Sequence, residues 1–151
     1  MGRDEMIKLG IVAVGKLKET FWTDAVNEYA KRIGRFATLK ITELPEKRTL
    51  EEEGEEILKK ASGTLIVTDV KGDPVSSEGI AELIKNEVNY GKSEITFVIG
   101  SSEGLAESVK KAASKRISFG AVTYPHQLMR VIVAEQLYRA MTILNNVTYH
   151  K

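Results

Sequence analysis

The fold is indicated most clearly by the stretch Glu94–Gly104, which reads EITFVIGSSEG. Its first part, Glu94–Ile99, is short, apolar and rich in β-branched residues, as is typical of a buried strand. Gly100–Gly104 is predicted to form a loop, and a short helix is predicted to follow it as far as about Lys115. A buried strand that leads through a glycine loop into a helix indicates an α/β protein.

The same pattern recurs on both sides of this stretch. Further strands are predicted at Ile7–Val14, Thr38–Leu44, Leu65–Val70 and within Ile117–Tyr124, with Lys71–Pro74 as a turn and Pro125 ending the last strand. Helices are predicted from about Thr20, from Thr49, from Ser76 or Ser77, and over about 127–144. Thr20 is expected to cap the first helix, which Gly34 ends, and Thr49 with Glu52 has the spacing of a capping box. Ser76 or Ser77 is expected to cap the third helix. We therefore predict a mostly parallel sheet with helices on both faces, in a single domain over residues 1–151.

The last helix has an unusual composition. Between Leu128 and Leu144, twelve of seventeen positions are apolar or tyrosine. A helix that is apolar on nearly all sides has to be covered on more than one face. In a chain of 151 residues a second subunit could provide one of these covers, so a homodimer is expected.

Composition excludes several classes of protein. The absence of cysteine excludes disulfides, Cys-zinc sites and thiol catalysis. Two histidines, without an H-E-x-x-H motif or clustered carboxylates, argue against a metal site. There is neither an apolar stretch of about 18 residues nor a signal-peptide pattern, so no membrane association and a cytoplasmic location are expected.

The formal net charge of +1 conceals an uneven distribution. Residues 1–40 carry +3, residues 41–109 carry −8, and residues 110–151 carry +6. A local positive field can attract RNA even when the total charge is near zero. The charge distribution therefore leaves a nucleic-acid partner possible.

Ligands of parallel sheets bind beyond the carboxyl ends of the strands. Three segments lie there in the predicted fold: Thr68–Pro74, Gly100–Gly104 and Phe119–Arg130. The glycine loop is neither the G-x-G-x-x-G dinucleotide motif nor a P-loop. An ordinary connection between a strand and a helix is the alternative interpretation of this loop.

Two pairs of side chains could carry chemistry. His126 and Arg130 lie one helical turn apart, so together they could hold an anion or a carbonyl-rich base. The alternative is a capping histidine and a solvated arginine. Near the end of the chain, Tyr149 and His150 are groups that stack on bases and contact phosphates, although chain ends are usually frayed. No G-x-S-x-G elbow supports a Ser-His-Asp triad.

Several segments together resemble one family. They are Val14–Glu19 with Phe21 and Trp22, Phe97–Gly100, Tyr124–Arg130, Glu135–Ala140 and Tyr149–Lys151. The sequence resembles the RlmH family, the ribosomal large-subunit pseudouridine N(3)-methyltransferases of the SPOUT class. The resemblance runs from about Met6 to Lys151 and leaves Gly2–Glu5 as an uncovered extension.

This resemblance implies a deep C-terminal trefoil knot, a homodimer and S-adenosylmethionine as cofactor. The implied cofactor-binding residues are Thr68, Gly100, Phe119, Gly120, Ala121, Val122, Thr123 and Tyr124. The sequence departs from the family at Ser101, where a second glycine is usual, and at Thr68, where leucine is frequent.

The implied reaction is methylation of N(3) of a pseudouridine in 23S ribosomal RNA, on the assembled ribosome. The resemblance assigns base positioning and charge stabilisation to His126, Arg130, Tyr149 and His150, with the tail completing the site of the partner subunit. Two other hypotheses stay open: methylation of another RNA such as a tRNA, and a nucleotide-binding module without catalysis.

Overall fold

A computed structural model describes residues 6–150, so Gly2–Glu5 and Lys151 lie outside the described residues. The five strands are β1 (Ile7–Val14), β2 (Ala37–Leu44), β3 (Thr64–Pro74), β4 (Glu94–Ile99) and β5 (Lys115–Ser118). They form one sheet in the order β2-β1-β4-β3-β5, and every pairing is parallel. The prediction of an α/β fold is confirmed, whereas the trefoil knot stays a prediction.

The five helices cover the two faces of the sheet. They are α1 (Thr20–Ile33), α2 (Leu50–Lys60), α3 (Ser77–Asn89), α4 (Glu107–Ala112) and α5 (His126–Leu144). Helix α5 packs between α1 and α3, and α2 packs beside α4. In β1 and β4 the α5 face buries odd-numbered residues such as Ile11 and Phe97, and the α2–α4 face buries even-numbered ones such as Val12 and Val98. This alternation follows from the two-residue period of a strand.

Two of the predicted helix caps are confirmed and one is wrong. The Thr49 hydroxyl accepts a hydrogen bond from the Glu52 amide at 3.1 Å, and the Ser76 hydroxyl accepts one from the Gly79 amide at 2.9 Å. Thr20 is already the first helical residue, and Glu19 holds the cap position without a side-chain hydrogen bond. A capping side chain has to stand at the N-cap position, so a hydroxyl within the first helical turn cannot cap the helix.

Three predicted boundaries also need correction. Lys71–Pro74 is not a simple turn, because β3 continues to Pro74 through an irregular bulge and pairs there with β5. Strand β5 covers Lys115–Ser118, so it begins before Ile117 and ends well before Pro125. Tertiary pairing, which local sequence patterns do not report, decides both boundaries. None of the helices within residues 6–150 is both long enough and apolar enough to span a membrane.

Candidate functional site

A cavity of about 400 Å³ lies at the carboxyl edge of the sheet. The irregular part of β3, the loops that follow β4 and β5, and the first turn of α5 contribute most of its lining. Of the residues predicted for a site, those that line it are Thr68, Gly100, Phe119, Gly120, Val122, Thr123, Tyr124 and His126. Ala121 is not among the lining residues. The three loops selected on topology alone therefore meet at one cavity of the size that small-molecule ligands occupy.

The glycine loop folds back tightly on itself at the floor of this cavity. A Cβ atom on Gly100 would lie 2.4 Å from the carbonyl oxygen of Gly104. The Gly104 amide in turn donates a hydrogen bond to the Ser101 carbonyl at 2.9 Å. Glycine is thus required at position 100 because the backbone of Gly104 leaves no room for a Cβ atom there. Ser101, which departs from the family pattern, is compatible with this conformation.

The loop after β5 presents its backbone toward the cavity. The Ser118 hydroxyl accepts a hydrogen bond from the Gly120 amide at 3.1 Å, and Gly120 has a φ of +108°, which favours glycine. From Ala121 to Tyr124, the described part of the chain offers no hydrogen-bond partner to the backbone amides and carbonyls. These groups are free to bind a polar ligand.

Sequence reasoning missed some lining residues, of which Asp69 is the most informative. Its carboxylate accepts a hydrogen bond from the Lys71 amide at 3.0 Å and lies 3.4 Å from the Arg116 guanidinium. The sequence did contain a signal for Asp69, because an acidic residue interrupts an apolar strand at the carboxyl edge of the sheet, where ligands bind. The neighbouring Thr68 hydroxyl donates to the Val98 carbonyl at 3.1 Å and so holds the two strand ends together.

His126 and Arg130 share a face of α5, as the spacing predicted, but their environments differ. His126 lines the cavity and is half-buried. Arg130 is 1% exposed, and its guanidinium donates hydrogen bonds to the Glu43 carboxylate and the Gly15 carbonyl. The alternative interpretation, a capping histidine and a solvated arginine, is wrong on both points, because Pro125 holds the cap position and Arg130 is buried.

Arg130 does not line the cavity. It links the end of β1 and the end of β2 to the beginning of α5. Its Nε atom has no hydrogen-bond partner within residues 6–150. The guanidinium is therefore held by structural partners, and it positions the elements around the cavity.

The tail is packed onto the middle of α5, so the expectation of a frayed end is wrong for Tyr149 and His150. The Tyr149 hydroxyl donates to the Glu135 carboxylate at 2.9 Å, and the Tyr149 ring packs edge-on against Tyr138 at 4.6 Å between centroids. The Arg139 guanidinium lies 4.7 Å from the centroid of the Tyr149 ring. Burial, and next the hydrogen bond to Glu135, raise the pKa of Tyr149 to about 12.

His150 joins the same group of side chains. Arg139 Nη1 lies 3.2 Å from His150 Nδ1, and His150 Nε2 lies 2.8 Å from a carboxylate oxygen of Glu78. Arginine can only donate, so Nδ1 is the acceptor and Nε2 carries the proton. The pKa of Glu78 is lowered, first by its own backbone amide and then by the hydrogen bond from His150. We call Glu135, Arg139, Tyr149 and His150 the tail cluster.

The tail cluster and the cavity are separate within one chain. No member of the tail cluster is among the residues that line the cavity. The structure thus brings His126 to the predicted cofactor residues but leaves Tyr149 and His150 elsewhere on α5. Within residues 6–150 there is no group of three or more His, Cys, Asp or Glu side chains that could hold a metal ion.

Comparison with known proteins identifies the family. Residues 7–150 match the family described as "Predicted SPOUT methyltransferase". The chain belongs to the SPOUT methyltransferase family. Among its RlmH relatives, "Ribosomal RNA large subunit methyltransferase H" of Limosilactobacillus reuteri is 43% identical over 96% of this chain and 100% of the relative. The protein of the same name from Lactobacillus helveticus is 44% identical over the same shares.

A SPOUT-type fold is also found among solved structures. The SpoU methyltransferase AviRb from Streptomyces viridochromogenes, solved in complex with the cofactor AdoMet, superposes with a TM-score of 0.53. The superposition covers 95% of this chain and 60% of that chain at 13% identity, so the likeness concerns the fold alone.

Proposed function

We propose that this SPOUT protein uses S-adenosylmethionine to methylate N(3) of a pseudouridine in 23S ribosomal RNA, acting as a single-domain homodimer in the cytoplasm. The observation that carries the proposal is the identity of 43–44% along the whole length of relatives named ribosomal RNA large subunit methyltransferase H. The cavity supports it, because its loops and its volume suit the cofactor that the fold implies.

The cavity residues fit an adenosyl ligand. Ile99, Leu105, Ile117 and Phe119 supply apolar walls, and the free backbone groups of Ala121–Tyr124 can pair with the polar edge of a base. Asp69 and Thr68 offer oxygen atoms at the rim. When bound, S-adenosylmethionine supplies an activated methyl group, so the protein has chiefly to align the methyl donor with the acceptor nitrogen.

The acceptor nitrogen lies between two carbonyl groups and must lose its proton. Cationic and hydrogen-bonding side chains near the cavity would stabilise the resulting anion. Of the four residues predicted to act on the base, His126 lines the cavity in the same chain, and Tyr149 and His150 would be brought in by a partner. Arg130 would act as a positioning residue, because Glu43 and Gly15 already bind its guanidinium.

The homodimer is supported by a stripe of side chains on α5. Leu128, Val131 and Ile132 are half-buried and belong to neither hydrophobic cluster of the described residues. Glu135 and Arg139 continue this stripe at helical spacing. We call these five residues the α5 stripe. Apolar side chains without a covering element are expected to be buried by a second copy of the same surface.

A two-fold axis near Ile132 would also assemble a composite site. With a rise of about 1.5 Å per residue, Arg139 lies about 10 Å from such an axis along α5, and His126 lies about 9 Å away on the other side. In an antiparallel crossing, the tail cluster of one chain therefore meets the partner's His126 and cavity. This arrangement accounts for the separation of the two regions within one chain.

The test is methyl transfer to 70S ribosomes from a strain that lacks the native enzyme, with the modified nucleotide mapped by mass spectrometry. The proposal expects one methyl group per ribosome on N(3) of a large-subunit pseudouridine, and none on purified tRNA. Methylation of tRNA, or cofactor binding without any transfer to RNA, would contradict it. Parallel titrations with S-adenosylmethionine and ATP would show whether the cavity discriminates between the two nucleotides.

A further inference from the structure

The α2–α4 face of the sheet is covered only over its carboxyl half. On that face, β1 buries Val12 and Val14 under α2 and α4. Toward the amino end the same face of β1 carries Lys8 and Gly10, and none of the helices within residues 6–150 covers them. A groove of about 260 Å³ lies there. Its main polar residues are Lys8, Thr38, Lys40, Lys60, Ser62 and Thr96. We call it the lysine groove.

The floor of the lysine groove is rigid and unusually polar. Faces of parallel sheets are normally apolar because helices cover them. Thr96 is 4% exposed, and its hydroxyl donates to the Ser62 carbonyl at 2.7 Å while accepting from the Ser62 amide at 3.3 Å. A Cβ atom on Gly10 would come within 3.1 Å of the Thr96 hydroxyl oxygen, so glycine leaves the centre of the groove open.

The charge of the groove is positive. Lys8, Lys40 and Lys60 are exposed, and none of the three forms an ion pair with any of residues 6–150. Among the described residues that line the groove, Glu94 is the one acidic residue. Strand pairing fixes the spacing of the cations, because Lys40 lies opposite Gly10 and Lys8 opposite Thr38.

We infer that the lysine groove binds the phosphodiester backbone of ribosomal RNA at a position remote from the modified nucleotide, an inference that rests on the proposed function. Ammonium groups beside hydroxyl donors suit phosphate oxygens, and each lysine that neutralises a phosphate releases a counterion. Lysine is depleted at protein–protein interfaces, which argues against a protein as the occupant. The groove is lined by no aromatic side chain, so it would not read bases by stacking.

The position of the groove suits a second contact. It faces away from α5, so the proposed dimer leaves it open on both subunits. Along β1, from Lys8 to Val14, the groove lies about 20 Å from the level of the cavity. A flipped nucleotide in the cavity and a neighbouring RNA segment in the groove could therefore be held at the same time.

The test compares two triple variants of equal charge. One is Lys8→Gln, Lys40→Gln, Lys60→Gln, and its control is Lys31→Gln, Lys85→Gln, Lys111→Gln, which changes exposed lysines on α1, α3 and α4. We expect the groove variant to raise KM for 70S ribosomes at least about tenfold, and to reduce the slope of log Kd against log salt by about 2 to 3. Arginine at the same three positions should restore both values.

The outcomes separate the inference from the proposed function. If the unchanged protein does not methylate ribosomes, the proposed function fails. If it does so and the groove variant behaves like its control, the inference alone is wrong. A groove variant with an unchanged salt slope, or with lost cofactor affinity or a lowered Tm, would also overturn the inference, because the lysines would then act on something other than phosphate.

A crosslink identifies the occupant directly. The chain contains no cysteine, so Lys40→Cys provides a unique attachment point for a photoreactive label. Illumination of the labelled protein on ribosomes should attach it to 23S ribosomal RNA. Attachment to a ribosomal protein would contradict the inference.

Discussion

The region at the beginning of α5 and the region at its middle differ in the chemical groups that form them. Around His126, the cavity is formed by apolar side chains and by loop backbone, and its shape depends on glycines such as Gly100. Around Arg139, the tail cluster is formed by charged side chains of α5 together with Tyr149 and His150 of the segment that follows it. The difference indicates that the first region is suited to holding a cofactor by shape, and the second to acting on a substrate by charge. We therefore expect added side-chain volume to impair cofactor binding in the first region, and removal of side chains to impair methyl transfer in the second.

The largest effect is expected from the tail. Removal of residues 148–151 should lower methyl transfer by roughly 10²–10⁴-fold, because it deletes groups that position the base and stabilise charge. Affinity for S-adenosylmethionine should change little, since Thr148, Tyr149 and His150 do not line the cavity. Calorimetric titration with the cofactor measures this affinity. An equal loss of cofactor binding and of methyl transfer would contradict the assignment of the tail to the substrate and of the cavity to the cofactor.

A smaller effect is expected from added volume in the cavity. Gly100→Val should weaken cofactor binding by roughly ten- to a hundredfold, because a Cβ atom at 2.4 Å from the Gly104 oxygen forces the loop to move. Ser102→Ala is the control within the same loop and should stay within about threefold. If both variants bind normally, the backbone shape of this loop does not determine affinity.

Two arginines on α5 allow a comparison of stability. Arg130→Met leaves the Gly15 carbonyl without its partner, which should cost about 2 kcal/mol and lower Tm by roughly 4–8 °C. Arg139→Met removes an arginine whose side chain is 25% exposed, against 2% for Arg130, and should lower Tm by less than about 3 °C. Thermal unfolding of the two variants side by side measures the contrast, and equal shifts would mean that burial does not distinguish the pairs.

The smallest effect concerns pH. Because the pKa of Tyr149 is raised to about 12, its hydroxyl keeps its proton well above pH 10. The contribution of the protonated Tyr149 hydroxyl to the free energy of unfolding is fully present below the ordinary tyrosine pKa of about 10. It is lost as the pH rises through the pKa of Tyr149 in the folded protein. The difference in absorbance titration between the unchanged protein and Tyr149→Phe should therefore show a midpoint above pH 11. A midpoint near 10 would place Tyr149 in contact with solvent.

Local sequence patterns predicted one of these regions better than the other. The strands, the loops after β4 and β5 and the irregular stretch of β3 lie where short apolar runs end in glycine, proline or an acidic residue, so the place of the cavity could be deduced. The burial of Arg130 could not, because its partners Gly15 and Glu43 are 115 and 87 residues away along the chain. The packing of Tyr149 against Tyr138 is likewise a tertiary contact. The segment after α5 has no periodic apolar pattern from which this contact could be predicted.

Complementation between two impaired variants tests the composite site most directly, at a concentration of S-adenosylmethionine low enough to leave the Gly100→Val cavity largely empty. One variant carries Gly100→Val and an intact tail, and the other has an intact cavity but lacks residues 148–151. If subunits exchange freely, about half of the dimers are mixed, and each mixed dimer holds one complete site made of one chain's cavity and the other chain's tail. The mixture should then recover about a quarter of the activity of the unchanged protein. No recovery, in a mixture whose subunit exchange has been verified by mass spectrometry, would show that each chain completes its own site and would contradict the account.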